Sequence, residues 1–221
     1  MILLGIDTSS AATSVAVLDD SGILAHLSHV DARAHAEVLA PMIADVCSGL
    51  KVDAVVCGVG PGPYTGLRVG VVTAQTLGLA WQVPVVGVCS LDALGHSARE
   101  SGITGEFIAA LDARRGEVYW ARYAQTRLAG PFVNRREELG EHLLALPWVG
   151  VGTDSTYPDP ADLVRIAAPL LMAGIAVGER VTALADHGGD GGSTAGQLAG
   201  TTLLPAFPLY VRRPDAVASQ T

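Results

Sequence analysis

The sequence predicts an α/β fold built in two lobes, and three observations carry that expectation. Residues 1–103 read as three antiparallel strands followed by helix, strand, helix, strand. The stretch ILLGIDTSSAATSVAV is echoed by FIAALDARRGEVYWAR, each a buried strand, an aspartate, a short turn and a return strand. A chain of 221 residues with a hydrophobic fraction of 49% is long and apolar enough to fill real cores. The boundaries drawn from this pattern are a first lobe at 1–103 and a second at 104–221.

Ile2–Ile6 is an apolar strand that ends at the polar turn Asp7-Thr8-Ser9-Ser10. Ser14–Leu18 returns, Asp19-Asp20-Ser21-Gly22 turns the chain, and Ile23–Val30 completes a meander. A helix from about Ala34 to Ser48 follows, with Val38, Leu39, Met42, Ile43, Val46 and Leu50 at helical spacing. Gly49 is a fitting stop, and Pro41 inside the helix is expected to bend or break it. Val52–Cys57 and Val83–Val88 are buried strands on either side of a second helix, and a third starts at Ser90 or Leu91.

In the second half, Phe107–Leu111 and Glu117–Tyr123 form a hairpin through Arg114-Arg115-Gly116. A helix near Arg135–Ala145, a strand at Trp148–Val151 and helical patterns at Asp162–Ala173 and around Val181 are expected next. His187–Gly192 reads as a connector. The segment PAFPLYVRRP at 205–214 reads as an extended tail packing back through Phe207, Leu209 and Tyr210.

The order of elements is that of the ribonuclease-H-like core shared by actin, the sugar kinases and the heat-shock ATPases, here duplicated. In that superfamily ATP lies between lobes, its phosphates held by the turns after the first strand of each. Two turns qualify by position, Asp7-Thr8-Ser9 and Asp112-Ala113-Arg114. Asp7 is placed to hold Mg²⁺ or water, and Thr8 and Ser9 to bond phosphate oxygens. The competing reading is that Asp7 and Thr8 only close a tight turn through their own backbone, and it has the edge, since the second turn is basic and poor in glycine.

The stretch GVGPGPYTGLRVGVVTAQTLG, residues 58–78, organises the first lobe. A strand leads into Gly60-Pro61-Gly62-Pro63, and a helix begins with Pro63 at its first position or Thr65 as N-cap. Converging amides make Gly60, Gly62, Thr65 and Gly66 an anion-loop candidate with Asp7, Thr8 and Ser9. Arg68, a cation in the first turn, calls for a carboxylate or phosphate beside it. Gly66, Gly70, Ala74 and Gly78 recur every four residues on one face, while the remaining faces are apolar, which predicts a helix buried all round. Helical glycines cost about 1 kcal/mol each relative to alanine. The stripe therefore implies close backbone approach, by this chain's own sheet or by a partner's helix.

Composition excludes several classes. Charged residues are 16% of the chain, against about 25% in ordinary soluble domains, so part of the surface is expected to be covered. A net charge of −8 disfavours direct strong RNA binding, and the pairs Arg114-Arg115, Arg135-Arg136 and Arg212-Arg213 are too isolated to make a basic face. No apolar run reaches the roughly 18 residues of a membrane span, and a cytoplasmic location is expected. Cys47, Cys57 and Cys89 have no CxxC spacing and read as buried free thiols. No metal set is expected: His26 and His29 are an odd number of residues apart on a strand, and His35 has no partner one turn on, reading as a cap or interface residue.

The segments ILLGIDTSS, RAHAEVLAPMI, GVGPGPYTGLRVGVVTAQTLG, VPVVGVCSLDAL and LDARRGEVYWARY resemble the bacterial TsaB family, formerly YeaZ. The likeness runs through residues 1–125, and beyond them rests on Pro208–Arg212. It implies a part in making threonylcarbamoyladenosine at position 37 of tRNA. In that division of labour TsaD transfers the threonylcarbamoyl group at a metal held by paired histidines, TsaE supplies an ATPase, and TsaB is the non-catalytic dimerisation partner of TsaD.

By position, the resemblance and the glycine stripe together give a partner interface of His35, Leu39, Met42, Gly66, Gly70, Thr73, Ala74, Leu77 and Gly78. A homodimer through the same surface is expected of the chain alone, and ATP or ADP with Mg is conceivable only at the interface of the complex. The rival expectation is an ATP-dependent small-molecule kinase, which needs Asp7 for magnesium. A peptidase reading lacks any nucleophile or metal motif.

Overall fold

The computed structural model describes residues 1–151, 156–174 and 203–211. Strands β1 (Leu3–Asp7), β2 (Ala12–Asp19) and β3 (Gly22–Val30) form the meander, and β4 (Ala54–Gly58) and β5 (Val85–Val88) add in parallel, in the order β3-β2-β1-β4-β5. Side chains alternate across this sheet as strand geometry requires. Leu4, Ile6, Val15, Val17 and Val55 meet the helices α1 (His35–Val46) and α2 (Tyr64–Trp81) on one face. Leu3, Ala16, Leu18, Ala54 and Val56 meet α5 (Pro160–Met172) on the other. The expected element order of the first lobe is therefore present in full.

Pro41 does not break α1, which runs unbroken from His35 to Val46. Pro41 and Glu37 are both exposed, so the Glu37 carbonyl that Pro41 cannot meet faces water. Gly49 adopts φ of +73° just past the helix, the left-handed stop its position suggested. At α2, Pro63 is the capping residue and Tyr64 the first helical one; Thr65 lies inside the helix and caps nothing.

The second lobe is a shortened copy. β6 (Phe107–Arg114), β7 (Glu117–Tyr123) and β8 (Arg127–Arg135) form its meander, with a two-residue parallel strand β9 (Trp148–Val149), in the order β8-β7-β6-β9. The sequence pattern missed β8, placing a helix near Arg135–Ala145 where only a 3₁₀ turn at Arg136–Glu138 and the single turn α4 (Glu141–Leu144) occur. Helix α3 (Ser90–Glu100) packs against this sheet and against α5.

Two segments from beyond the expected 103/104 boundary pack on the first sheet. α5 returns to the first sheet, where Ala161, Leu163, Val164 and Ala167 are buried on Leu3, Val56 and Val88. Gly5 has no room for a side chain because the Pro160 carbonyl lies against its Cα. Leu203–Val211 also joins the first lobe, through a bridge of Leu204 to Gly87 and the Leu209 amide on the Val59 carbonyl. The expected tail is thus seated through Leu209 and Tyr210, while Phe207 stays largely exposed. The helix around Val181, the connector 187–192 and residues 212–214 lie outside the described residues.

Candidate functional site

The turn after β1 is built around a buried carboxylate. Asp7 Oδ1 accepts from the Ser9 amide and hydroxyl at 2.8 Å each, and Oδ2 accepts from the Ser90 hydroxyl at 2.7 Å. Ser90 Oγ in turn accepts from the Gly60 amide at 3.1 Å, tying the start of α3 to the glycine loop. Gly58 lies so close to Asp7 that any side chain there would overlap the carboxylate. Asp7 is 1% exposed, Thr8 1% and Ser9 0%. Burial pushes the Asp7 carboxyl up to about 6, against the opposing pull of its Ser90 and Ser9 hydrogen bonds.

Thr8 takes the next layer. Its hydroxyl sits on one rung of α2, donating to the Gly66 carbonyl at 2.8 Å and accepting from the Gly70 amide at 3.1 Å. A methyl at Gly70 would strike that hydroxyl, and one at Gly66 would lie 2.9 Å from the Thr8 carbonyl and 3.0 Å from His35 Nε2. Gly78 is pressed on Val85, and Gly62 on the Ser9 carbonyl. The small-residue row of α2 is therefore filled by this chain's own turn and sheet.

These positions correct the anion-site expectation. Asp7, Thr8, Ser9, Gly60, Gly62 and Gly66 do come together, but as a closed plug whose polar atoms serve one another. Ser10, Ala11, Pro63, Leu111, Asp112, Arg114, Gly150, Val151 and Tyr157 line a cleft between the lobes of about 180 Å³. Small-molecule sites usually start near 300 Å³. Among the described residues these two features do not suit a metal-bound nucleotide: the Asp7 carboxylate is sealed, and this cleft is small. Asp112 instead accepts from the Arg114 amide at 2.8 Å within its own turn. Thr65 is exposed and outside the plug. Among the described residues, no three His, Cys, Asp or Glu side chains converge as a metal set.

Arg68 has no carboxylate beside it among the described residues. Its guanidinium lies 3.8 Å above the Tyr64 ring, and Nε donates to the Tyr210 hydroxyl at 2.8 Å, with the two tyrosine rings stacked at 5.0 Å. The π-faces and the phenol satisfy the cation that sequence reasoning paired with an anion.

The partner-interface expectation needs a similar turn of the helix. His35 is buried, bonded through Nδ1 to the Thr13 hydroxyl at 2.7 Å, neither a cap nor on the surface, and burial pulls its pKa down. Leu39, Gly66, Gly70, Ala74 and Gly78 are likewise buried in this chain, while Met42, Thr73 and Leu77 are half-buried. Nor is α2 apolar-buried all round: Val72 is 56% exposed and Leu79 83%. With Thr65, Arg68 and Thr76 they form its outward face; on α1, which packs against α2, Ala36, Ala40 and Ala44 are exposed one turn apart. The signal that could have found this face was Val72 and Leu79 themselves, two turns apart and away from the glycines.

Comparison with known proteins follows this geometry. Residues 22–135 match the family model described as TsaD, tRNA N6-adenosine threonylcarbamoyltransferase. The Escherichia coli tRNA threonylcarbamoyladenosine biosynthesis protein TsaB is 40% identical over 72% of this chain and 74% of that protein. This chain belongs to the TsaB family. The crystal structure of YeaZ from Pseudomonas aeruginosa, an older name for TsaB, superposes with a TM-score of 0.71 at 30% identity, covering 95% of this chain and 99% of that one. The Mycobacterium leprae protein ML0378 is 42% identical over 97% of this chain, which spans only 56% of its length. The TsaB likeness thus extends over the second lobe as well as the closed turn of the first. No helix among the described residues is long and apolar enough to cross a membrane.

Proposed function

We propose that this chain takes part in the biosynthesis of threonylcarbamoyladenosine in tRNA as a non-catalytic partner of a TsaD-type transferase, with a TsaE-type ATPase acting on the same assembly. The observation that carries this reading is the sealed Asp7 turn: a fold built to hold nucleotide has its binding turn occupied by its own side chains. A chain so arranged contributes binding energy rather than a reacting group. The outward face of α1 and α2, with Ala36, Ala40, Ala44, Val72 and Leu79, offers a partner's helices small residues for close approach and apolar ones to bury. An interface of ordinary size would cover about 1,200–2,000 Å² in total. The acidic balance of the chain leaves tRNA contact to the partner.

The test is co-purification with the TsaD homologue of the same host and measurement of threonylcarbamoyladenosine formed by the reconstituted assembly. Val72→Glu and Leu79→Glu place charges on the outward face and are expected to abolish complex and modification while the chain stays folded. Full modification by the double variant would overturn the interface. Magnesium-dependent ATP turnover by the purified chain alone, lost in Asp7→Asn, would instead establish the kinase reading.

A further inference from the structure

The cleft between the lobes is small, but its lining carries two opposite charges. Ser10 reaches it from the turn after β1, Asp112 and Arg114 from the end of β6, and Tyr157 from the segment leading into α5. At roughly 30 Å³ for each water-sized group, its volume of about 180 Å³ holds about six of them. That is the bulk of a small amino acid rather than of a drug-sized ligand.

The end of β6 departs from regular strand where it presents both charges. Asp112 pairs with Val118 and Arg114 with Glu117, so Ala113 is an extra residue, and such bulges re-aim the side chains beside them. Arg115-Gly116 is the two-residue turn, where left-handed backbone is normal. Arg114 lies outside that turn and still has φ of +64°, a conformation that glycine adopts more readily. The Asp112–Arg114 pair is itself loose: Oδ2 and Nη1 are 3.7 Å apart, beyond hydrogen-bond reach, and both side chains are more than half exposed. Ser10 Oγ accepts from the Ala12 amide at 3.2 Å, which leaves its proton available to an acceptor. The Tyr157 hydroxyl makes no hydrogen bond among the described residues.

We propose that this cleft binds a small amino acid as its zwitterion, with the carboxylate on Arg114 and the Ser10 hydroxyl and the ammonium on Asp112. Asp112 Oδ1 is engaged by the Arg114 amide at 2.8 Å, and Oδ2 keeps its lone pairs for an ammonium. A ligand bearing both charges exchanges one loose pair for two charge-assisted hydrogen bonds. A simple anion is a poorer match, because Asp112 lies beside Arg114 and the chain's net charge of −8 repels it. A simple cation meets Arg114. A zwitterion has no net charge and answers both side chains. The proposal does not rest on the partner reading, for none of these four residues lies on α1 or α2.

Isothermal titration of the full chain with each of the common amino acids tests this. Alanine and serine should bind saturably, and tryptophan, too large for the cleft, should not. Propionate and ethylamine each keep one of alanine's two charges and should bind about tenfold or more weakly than alanine. Arg114→Gly suits the left-handed backbone, so it should melt no lower than wild type while alanine binding weakens about tenfold or more. Asp112→Asn still accepts from the Arg114 amide; it should weaken alanine binding and leave propionate binding no weaker. The proposal is overturned if no amino acid binds saturably, or if alanine binds both variants as it binds wild type. Propionate or tryptophan binding as tightly as alanine would overturn it too.

Discussion

Replacing Asp7 by Asn changes the protein's response to pH in a calculable way. The carboxyl titrates near 6 in the folded chain against an ordinary value of 3.8, raised by burial. A folded-state pKa above the unfolded one means that the folded state binds the proton more tightly in between. The resulting stability is fully present below about pH 4 and is lost as pH rises through 6. At 1.36 kcal/mol per pH unit, wild type should lose about 2–3 kcal/mol between pH 4 and pH 7.5 through this group alone. Asn keeps the shape and can accept the Ser9 bonds but does not titrate, so its stability curve should lack that decline. Urea unfolding of both proteins at intervals across that range, read by circular dichroism, gives the difference directly. Parallel curves with a constant offset would refute the reasoning, for they would mean that Asp7 ionises as it does in water and that the turn is open.

Further expectations concern packing and the contact between the lobes. Gly70→Leu would drive a side chain into the Thr8 hydroxyl and should destabilise the isolated chain by about 1–3 kcal/mol or prevent folding, measured by thermal unfolding without any partner. Asp92 and Arg127 form a buried pair at 3.5 Å joining α3 to β8, with the Tyr123 hydroxyl donating to Asp92 at 2.7 Å. Arg127→Met strands the Asp92 charge and should cost about 3–5 kcal/mol by urea unfolding. At the α3–α5 contact, His96 Nδ1 meets Asp162 at 3.0 Å, and hydrogen bonding to Asp162 raises the histidine pKa. Asp162 is held below its usual value, its bonds from His96, Ser97 and Arg165 outweighing burial. The pair therefore stabilises most between about pH 4 and 6.5, fading above as His96 deprotonates and below as Asp162 protonates. His96→Gln should lower the melting temperature more at pH 6 than at pH 8.5, and an equal loss at both would count against the ion pair.

The first lobe was legible because its signals are local. Alternating apolar residues mark β1 and β2, the 3.6-residue period marks α1, and the Gly58–Gly78 block joins a strand to a helix. The close approach implied by Gly66 and Gly70 was also legible, but not what approaches: the neighbour is Thr8, some sixty residues away, and no local pattern identifies it. Arg68 misled for the same reason, since its partner Tyr210 arrives from the far end of the chain. β8 was hidden because Gly130 and Pro131 interrupt its strand pattern, although as an edge strand it tolerates both. α5 was visible as a helix, yet only the bare backbone at Gly5 hinted that it packs on the first sheet.

The central claim is that the nucleotide turn of this chain is shut and that its work is done by holding a partner. Isothermal titration of the purified chain tests it most directly, with Mg-ATP in one experiment and the TsaD homologue in the other. The account expects no binding heat from Mg-ATP, and saturable binding of the homologue that Val72→Glu with Leu79→Glu removes. Binding and turnover of Mg-ATP by the chain alone, with no affinity for the homologue, would contradict it.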